Sequence, residues 1–206
     1  MSRSVFKNIN SLCLASASPR RKLLAARLGL PLEIIRIDAE EKPGEGAPEK
    51  VAEELACQKA QAVLEKRMPG PNEVILTADT SVWLEGRMFG KPSGEAEAKE
   101  MLRALSGKDH EVITGCALLY RGGLSEIKTL LFSSVTTVTV DELTDEEIDA
   151  YVSSGDPLDK AGAYGIQGDF GVHVRSIKGS YDNVVGLPVN RIYSQLKKID
   201  AEIGRQ

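Results

Sequence analysis

The sequence predicts an α/β fold: a mixed, elongated central β-sheet flanked by helices. Short apolar strands alternate with helix-period segments over roughly the first hundred residues. Two long β-branched runs, Glu111–Tyr120 and Ile127–Val140, then follow around Gly122-Gly123 as an extended hairpin. Hydrophobic residues at 42% and charged residues at 27% of 206 positions are ordinary globular values, which excludes a disordered or fibrous chain. A chain of this length buries roughly 70% of its unfolded surface and needs no disulfide or structural zinc. No repeat or linker divides it, so the expectation is one domain over 1–206, or two lobes around a cleft.

Taken in order, Ser11-Leu-Cys-Leu-Ala reads as a buried strand running into Ser16-Ala-Ser-Pro-Arg-Arg. Ser18 is a good N-cap and Pro19 suits a first helical turn. That helix continues through Leu23, Leu24 and Leu28 and stops at Gly29. Glu33–Ile37 is a second strand, and Lys42–Pro48 a Gly/Pro-rich loop. From Pro48 to about Arg67, Val51, Leu55, Ala56, Ala60, Val63 and Leu64 recur at helical spacing, which predicts a long amphipathic helix. Val74–Leu84 is β-rich, with an interruption expected at Ala78-Asp79-Thr80, and Glu85-Gly86 marks a hairpin turn. Glu95–Leu105 is a helix. Thr144 and Glu147 form a capping-box pattern that opens another. Asp156–Gly186 is glycine-rich and predicts turns and short strands. Pro188 to Ile199 is a last helix.

Composition narrows the function. A net charge of −4 and 5% aromatic residues argue against a nucleic acid polymer as partner. No apolar run approaches the length of a membrane span, and the first ten residues lack the apolar stretch of a signal peptide, so a cytoplasmic protein is expected. Cys13, Cys57 and Cys116 are widely spaced in apolar contexts and read as buried free thiols. The two histidines, His110 and His173, have no partner at zinc-ligand spacing. Acid–base chemistry therefore falls to carboxylates.

The strand-to-helix junction at Ser16 and Ser18 offers backbone N–H groups and a positive dipole end, a seat for phosphate. Arg20 and Arg21 oppose that dipole unless an anion arrives. Asp79, inside an apolar strand, is costly unless it lies at an end, is hydrogen-bonded, or works; the plain alternative is a structural turn residue. Glu40-Glu41 lie just beyond the second strand. Two carboxylates, a phosphate seat and no usable histidine suggest metal-assisted attack of water on a phosphate, with Mg²⁺ on carboxylate and phosphate oxygens. Lys59, beside the apolar stripe of its helix, and Lys91, held extended before Pro92, are either surface charges or further cations for a polyphosphate. Asp169-Phe-Gly lacks the other parts of a kinase site, and Gly162, Gly165 and Gly168 are wrongly spaced for a dinucleotide fingerprint.

Together, Leu14-Ala-Ser-Ala-Ser-Pro-Arg-Arg, Ala78-Asp-Thr, Gly90-Lys-Pro, Leu105-Ser-Gly, Asp159-Lys-Ala-Gly-Ala-Tyr-Gly-Ile-Gln-Gly, Gly179-Ser-Tyr and Val184-Val-Gly-Leu-Pro resemble the Maf family of nucleotide pyrophosphatases, from about Leu12 to Leu196. The family is linked to inhibition of septum formation and shares its fold with inosine triphosphate pyrophosphatases. The resemblance implies hydrolysis of a nucleoside triphosphate to monophosphate and pyrophosphate with a divalent cation, Mg²⁺ or Mn²⁺. It assigns Asp79 as general base, Glu41 as its catalytic companion and both as metal ligands, with Asp38 or Glu40 as alternatives to Glu41. Arg21, Glu41, Lys59 and Lys91 match polar active-site positions of the family, and with the seat at Ser16 and Ser18 the expectation is that Ser16, Ser18, Arg21, Lys59 and Lys91 bind the phosphates. Arg20, Thr80 and Gln167 resemble the branch acting on dTTP and UTP, a house-cleaning activity, rather than the branch acting on 7-methyl-GTP. A homodimer is the expectation on family grounds. The alternative reading is a nucleotide-binding regulator of cell division acting through a protein partner. A pure binder would keep the cations but has no need of a carboxylate aimed at phosphorus.

Overall fold

The computed structural model describes residues 5–37, 42–122 and 126–205. Seven strands form one mixed sheet: β1 (Ser11–Ala15), β2 (Leu32–Ile35), β3 (Glu73–Leu84), β4 (Arg87–Phe89), β5 (Asp109–Arg121), β6 (Ile127–Val140) and β7 (Val174–Lys178). Their order is β2-β1-β3-β5-β6-β7, with β4 paired to β3 off this path. β1 runs parallel to both β2 and β3, whereas the β3–β4 and β6–β7 pairs are antiparallel. Among the described residues, six α-helices accompany the sheet: α1 (Pro19–Ala26), α2 (Pro48–Leu64), α3 (Glu95–Leu105), α4 (Asp145–Ser153), α5 (Tyr181–Val185) and α6 (Val189–Ile203).

Several predicted elements shift. β3 continues unbroken through Ala78-Asp79-Thr80, because the aspartate has a cationic partner and needs no turn to reach water. α1 and α2 end a few residues earlier than their apolar periodicity suggests, and α6 runs on to Ile203. The glycine-rich stretch contains three 3₁₀ turns and the unpredicted helix α5. Cys13 and Cys116 are fully buried free thiols, but Cys57 is half-buried, a correction to the expectation for all three.

The chain divides into two compact units. The first holds the residues through Asp79, Thr114–Ser134 and the chain from Gly186 onward. In its core Cys13, Ala15, Ile75, Ala117 and Leu119 of the sheet meet Ala56, Ala60 and Val63 of α2. The contact is close because small residues face each other. A Cβ on Gly115 would lie 1.9 Å from the Ala52 carbonyl oxygen and 2.6 Å from the Glu53 nitrogen, distances no side chain can hold. One helical turn on, Thr77 Oγ1 donates to the Ala56 carbonyl at 2.7 Å. α2 is thus seated on β5 by shape and on β3 by a hydrogen bond.

The second unit holds Thr80–Ile113 and Val135–Val185. Its core gathers Met101, Leu102 and Leu105 of α3 with Ile148, Tyr151 and Val152 of α4 and with Tyr164 and Phe170. The predicted capping box is present: Thr144 Oγ1 accepts from the Glu147 amide at 3.2 Å, and the Glu147 carboxylate accepts from the Thr144 amide at 2.8 Å. The β3–β4 hairpin turns where predicted, with positive φ at Glu85 and Gly86. His110, 2% exposed, shares a 2.7 Å hydrogen bond between Nε2 and the Tyr164 hydroxyl, while its buried Nδ1 has no hydrogen-bond partner among the described residues.

Two stability predictions follow from these contacts. Gly115→Ala should cost about 1–3 kcal/mol or more, since the clash is with helix backbone rather than a movable side chain. Urea denaturation measures this, and an unchanged midpoint would show that α2 yields freely. Burial pushes His110 down to about 4, against an opposing pull from Asp109. The unfolded chain therefore binds the extra proton first, and this contribution to stability is complete above about pH 6.5 and lost as pH falls through 4. The full span is worth about 3 kcal/mol. Thermal unfolding between pH 7 and 4 should show that loss in the wild type and a shallower one in His110→Gln.

Candidate active site

The site is built first from the β1–α1 junction. Ser18 caps α1 from extended backbone, its hydroxyl accepting from the Arg21 amide at 3.4 Å, and Pro19 occupies the first turn. Ser16 Oγ accepts from the Ser18 amide at 3.2 Å. α1 has no acidic residue in its first turn, so nothing in that turn neutralises the positive end of its dipole. Arg21 lies in this same turn. Its Nε donates to the Gly186 carbonyl at 2.8 Å and its Nη1 to the Ala78 carbonyl at 2.9 Å. Two carbonyl anchors from distant parts of the chain fix the guanidinium plane, so the charge is delivered without the entropy cost of ordering a loose side chain.

β3 and α2 supply the rest of the cluster. Strand alternation puts Thr77 and Asp79 on one face: Thr77 bonds α2 at Ala56, and Asp79 meets Lys59 of the same helix. Lys59 Nζ lies 2.6 Å from Asp79 Oδ1 and 3.5 Å from the Ala78 carbonyl oxygen. The two side chains are only 16% and 12% exposed, so each ion depends on the other for solvation. The Ala78 carbonyl accepts from both Arg21 and Lys59, which ties the two cations and the carboxylate to one point on the strand.

The structure therefore brings Ser16, Ser18, Arg21, Lys59 and Asp79 together in the first unit, with Arg20 half-buried in the first turn of α1. Thr80, Lys91 and Gln167 belong to the second unit. Thr80 is half-buried directly after Asp79 on β3, whereas Lys91 and Gln167 are exposed. The backbone beside Lys91 is fixed, since the Gly90 carbonyl accepts from the Gly162 amide at 3.0 Å. Glu41, with its alternatives Asp38 and Glu40, lies outside the described residues. The next residue, Lys42, has both its amide and its carbonyl bonded by the Gln58 side chain, at 3.0 and 2.8 Å.

Sequence reasoning missed three supports of the site: Gly115, Thr77 and Gln58. A glycine within a β-branched run is a signal of close backbone approach and could have marked the first; the other two carry no local signal.

Among the described residues, potential metal-ligand atoms cluster at Cys13, Glu33 and Glu73, within 4.8 Å of one another. The Arg67 guanidinium bonds both carboxylates, and burial pushes the Cys13 thiol up to about 12. This group is an ion-pair knot and a poor metal site. Asp79 is different in kind: it is a hard carboxylate held by Lys59, the donor type that a hard divalent cation takes.

Residues 11–199 match the family described as Maf-like protein. The chain belongs to the Maf family. Among its Maf relatives, a Bacillus cereus protein named dTTP/UTP pyrophosphatase is 48% identical over 198 residues, covering 96% of this chain and 94% of its own. One of the same name from Bacillus mycoides is 48% identical over 196 residues, 95% and 98% of the two chains. A solved HAM1 protein from Coxiella burnetii covers 92% of this chain and 100% of its own, at 17% identity and a TM-score of 0.48, a weak likeness. No helix among the described residues is long and apolar enough to cross a membrane.

The Lys59–Asp79 pair makes a prediction independent of any substrate. Lys59→Met strands a carboxylate nearly out of water and should lower stability by about 1–3 kcal/mol. Lys59→Met/Asp79→Leu should recover part of that loss. A double-mutant cycle by urea denaturation measures the coupling, and strictly additive losses would mean the two groups act independently.

Proposed function

We propose that this Maf protein hydrolyses nucleoside triphosphates, dTTP and UTP foremost, to the monophosphate and pyrophosphate. The observation that carries the reading is the Lys59–Asp79 pair beside the Arg21-braced N-terminus of α1. A site that only held a nucleotide would have cations alone, because a carboxylate repels phosphate. A carboxylate kept against the seat by a lysine is suited to take a proton from water. The names of the relatives, at 48% identity over nearly the whole chain, support dTTP and UTP as the substrates.

In this mechanism the N-terminus of α1, with Ser16, Ser18 and Arg21, receives phosphate oxygens. Lys59 then exchanges its carboxylate partner for the incoming polyphosphate, freeing Asp79 Oδ1 to accept the proton of the attacking water. Charge grows on the pyrophosphate leaving group as the bond at the α-phosphorus breaks, and Lys59 counters it; Lys91 is a further residue proposed for the phosphates. A divalent cation, Mg²⁺ or Mn²⁺, would be held by Asp79 together with Glu41 and substrate oxygens, and supplies charge neutralisation when bound. Gln167 offers an amide to the O4 and N3–H edge of uracil or thymine, and Arg20 and Thr80 are the other residues proposed for base specificity.

Asp79→Asn should lower kcat by about 10²–10⁴-fold, with nucleotide affinity changed by about tenfold or less, a margin equal to one modest contact. The assay is pyrophosphate release from dTTP, UTP, CTP and 7-methyl-GTP, with and without Mg²⁺ or Mn²⁺. Near-normal turnover by the variant would move the base elsewhere, and a wild-type preference for CTP or 7-methyl-GTP would overturn the pyrimidine assignment.

A further inference from the structure

The motif that carries Gln167 also contains a lysine that the phosphate chemistry leaves unused. Lys160 is 9% exposed, and its ammonium donates to the Asp156 carbonyl, to Asp156 Oδ1 at 2.8 Å and to Asp159 Oδ1 at 2.7 Å. An ammonium has three donors, so none is left for a phosphate. The network continues on the other side of Asp156. Tyr151 of α4 donates its hydroxyl hydrogen to Asp156 Oδ2 at 2.7 Å, and the same hydroxyl oxygen accepts from the Gly165 amide at 3.1 Å.

This chain of bonds ends on a turn. The Gly168 amide donates to the Gly165 carbonyl at 3.2 Å, which leaves Ile166 and Gln167 as the two central residues. Both ends of the turn rest on the network. A Cβ at Gly165 would lie 2.5 Å from Lys160 Cε, and one at Gly168 would lie 3.1 Å from Asp156 Oδ2. The exposed Gln167 thus stands on a platform made of Lys160, Asp156 and Tyr151. All of these residues lie within the second unit.

We propose that Lys160, Asp156 and Tyr151 are positioning residues for base selection: their network fixes the Gly165–Gly168 turn so that Gln167 meets the base in one place. The proposal rests on the reading of Gln167 as a base contact. An exposed amide on an unsupported turn would adapt to either pyrimidine edge, whereas a site discriminates only where its polar groups cannot move to suit the wrong partner.

The test is kcat/KM for UTP and CTP with wild type, Tyr151→Phe, Lys160→Met, Gln167→Ala and Tyr151→Phe/Gln167→Ala, each checked for folding by thermal unfolding. Tyr151→Phe removes only the hydroxyl and is the variant that keeps the test open if Lys160→Met does not fold. Its UTP-to-CTP ratio should fall about tenfold, the size of one lost oriented hydrogen bond, through a rise in KM for UTP with kcat little changed. In the Gln167→Ala background the same substitution should lower the ratio no further, a non-additivity that a merely structural role would not produce. A full UTP preference in Tyr151→Phe alongside a reduced one in Gln167→Ala would overturn the positioning role and leave the base reading standing. A full preference in Gln167→Ala itself would overturn the base reading, and the positioning proposal with it.

Discussion

Everything at the first unit's site depends on how near α2 can come to the sheet. The alanines at 52, 56 and 60 recur every fourth residue and are buried, so they form one narrow stripe without bulk. Against that stripe β5 places a residue with no side chain, and β3 a threonine that bonds the helix backbone directly. The ammonium of Lys59 then falls at the level of Asp79 with no freedom to be elsewhere. Larger residues in the stripe would lift the helix and carry the lysine away from its carboxylate. The chemistry is thus fixed by the smallest side chains in the unit.

The electrostatics are arranged around one backbone atom. The Ala78 carbonyl oxygen takes a hydrogen bond from each of the two cations, and a partial negative charge on a strand cannot swing away as a side chain could. Lys59 is held by this oxygen as well as by Asp79. Were an anion to draw it off the carboxylate, the weaker tie to the strand would let the ammonium pivot without leaving. Arg21, anchored at two carbonyls, stays in place meanwhile.

Much of this was legible in the chain. The cap at Ser18, the turn at Glu85-Gly86 and the box at Thr144–Glu147 are local signals, set by residues within four positions of one another, and each is found in place. Local reasoning failed where partners are far apart. β3 was expected to break at Asp79 because an aspartate in an apolar strand has no satisfaction within its own neighbourhood; its partner is twenty residues earlier, on α2. Helix α5 escaped notice for a similar reason. The buried Asn183 in it donates to the Val112 carbonyl and to Thr136 Oγ1, contacts 71 and 47 residues distant that propensity does not register. The candidate residues of the site were legible as types and order, while their supports, Thr77 and Gln58, act through bonds that no motif records.

The anchor of Arg21 on Gly186 joins positions 165 residues apart. Asp200 makes a tie of similar reach, its carboxylate accepting from the amides of Lys7, Asn8 and Ile9. A ribosome reads the arginine 165 residues before the glycine. Throughout that interval the emerging polypeptide holds Arg21 without the Gly186 carbonyl that steadies it. Full anchoring of Arg21 therefore waits for Gly186, and a product terminated before that residue, however much of the sheet it has made, lacks this brace.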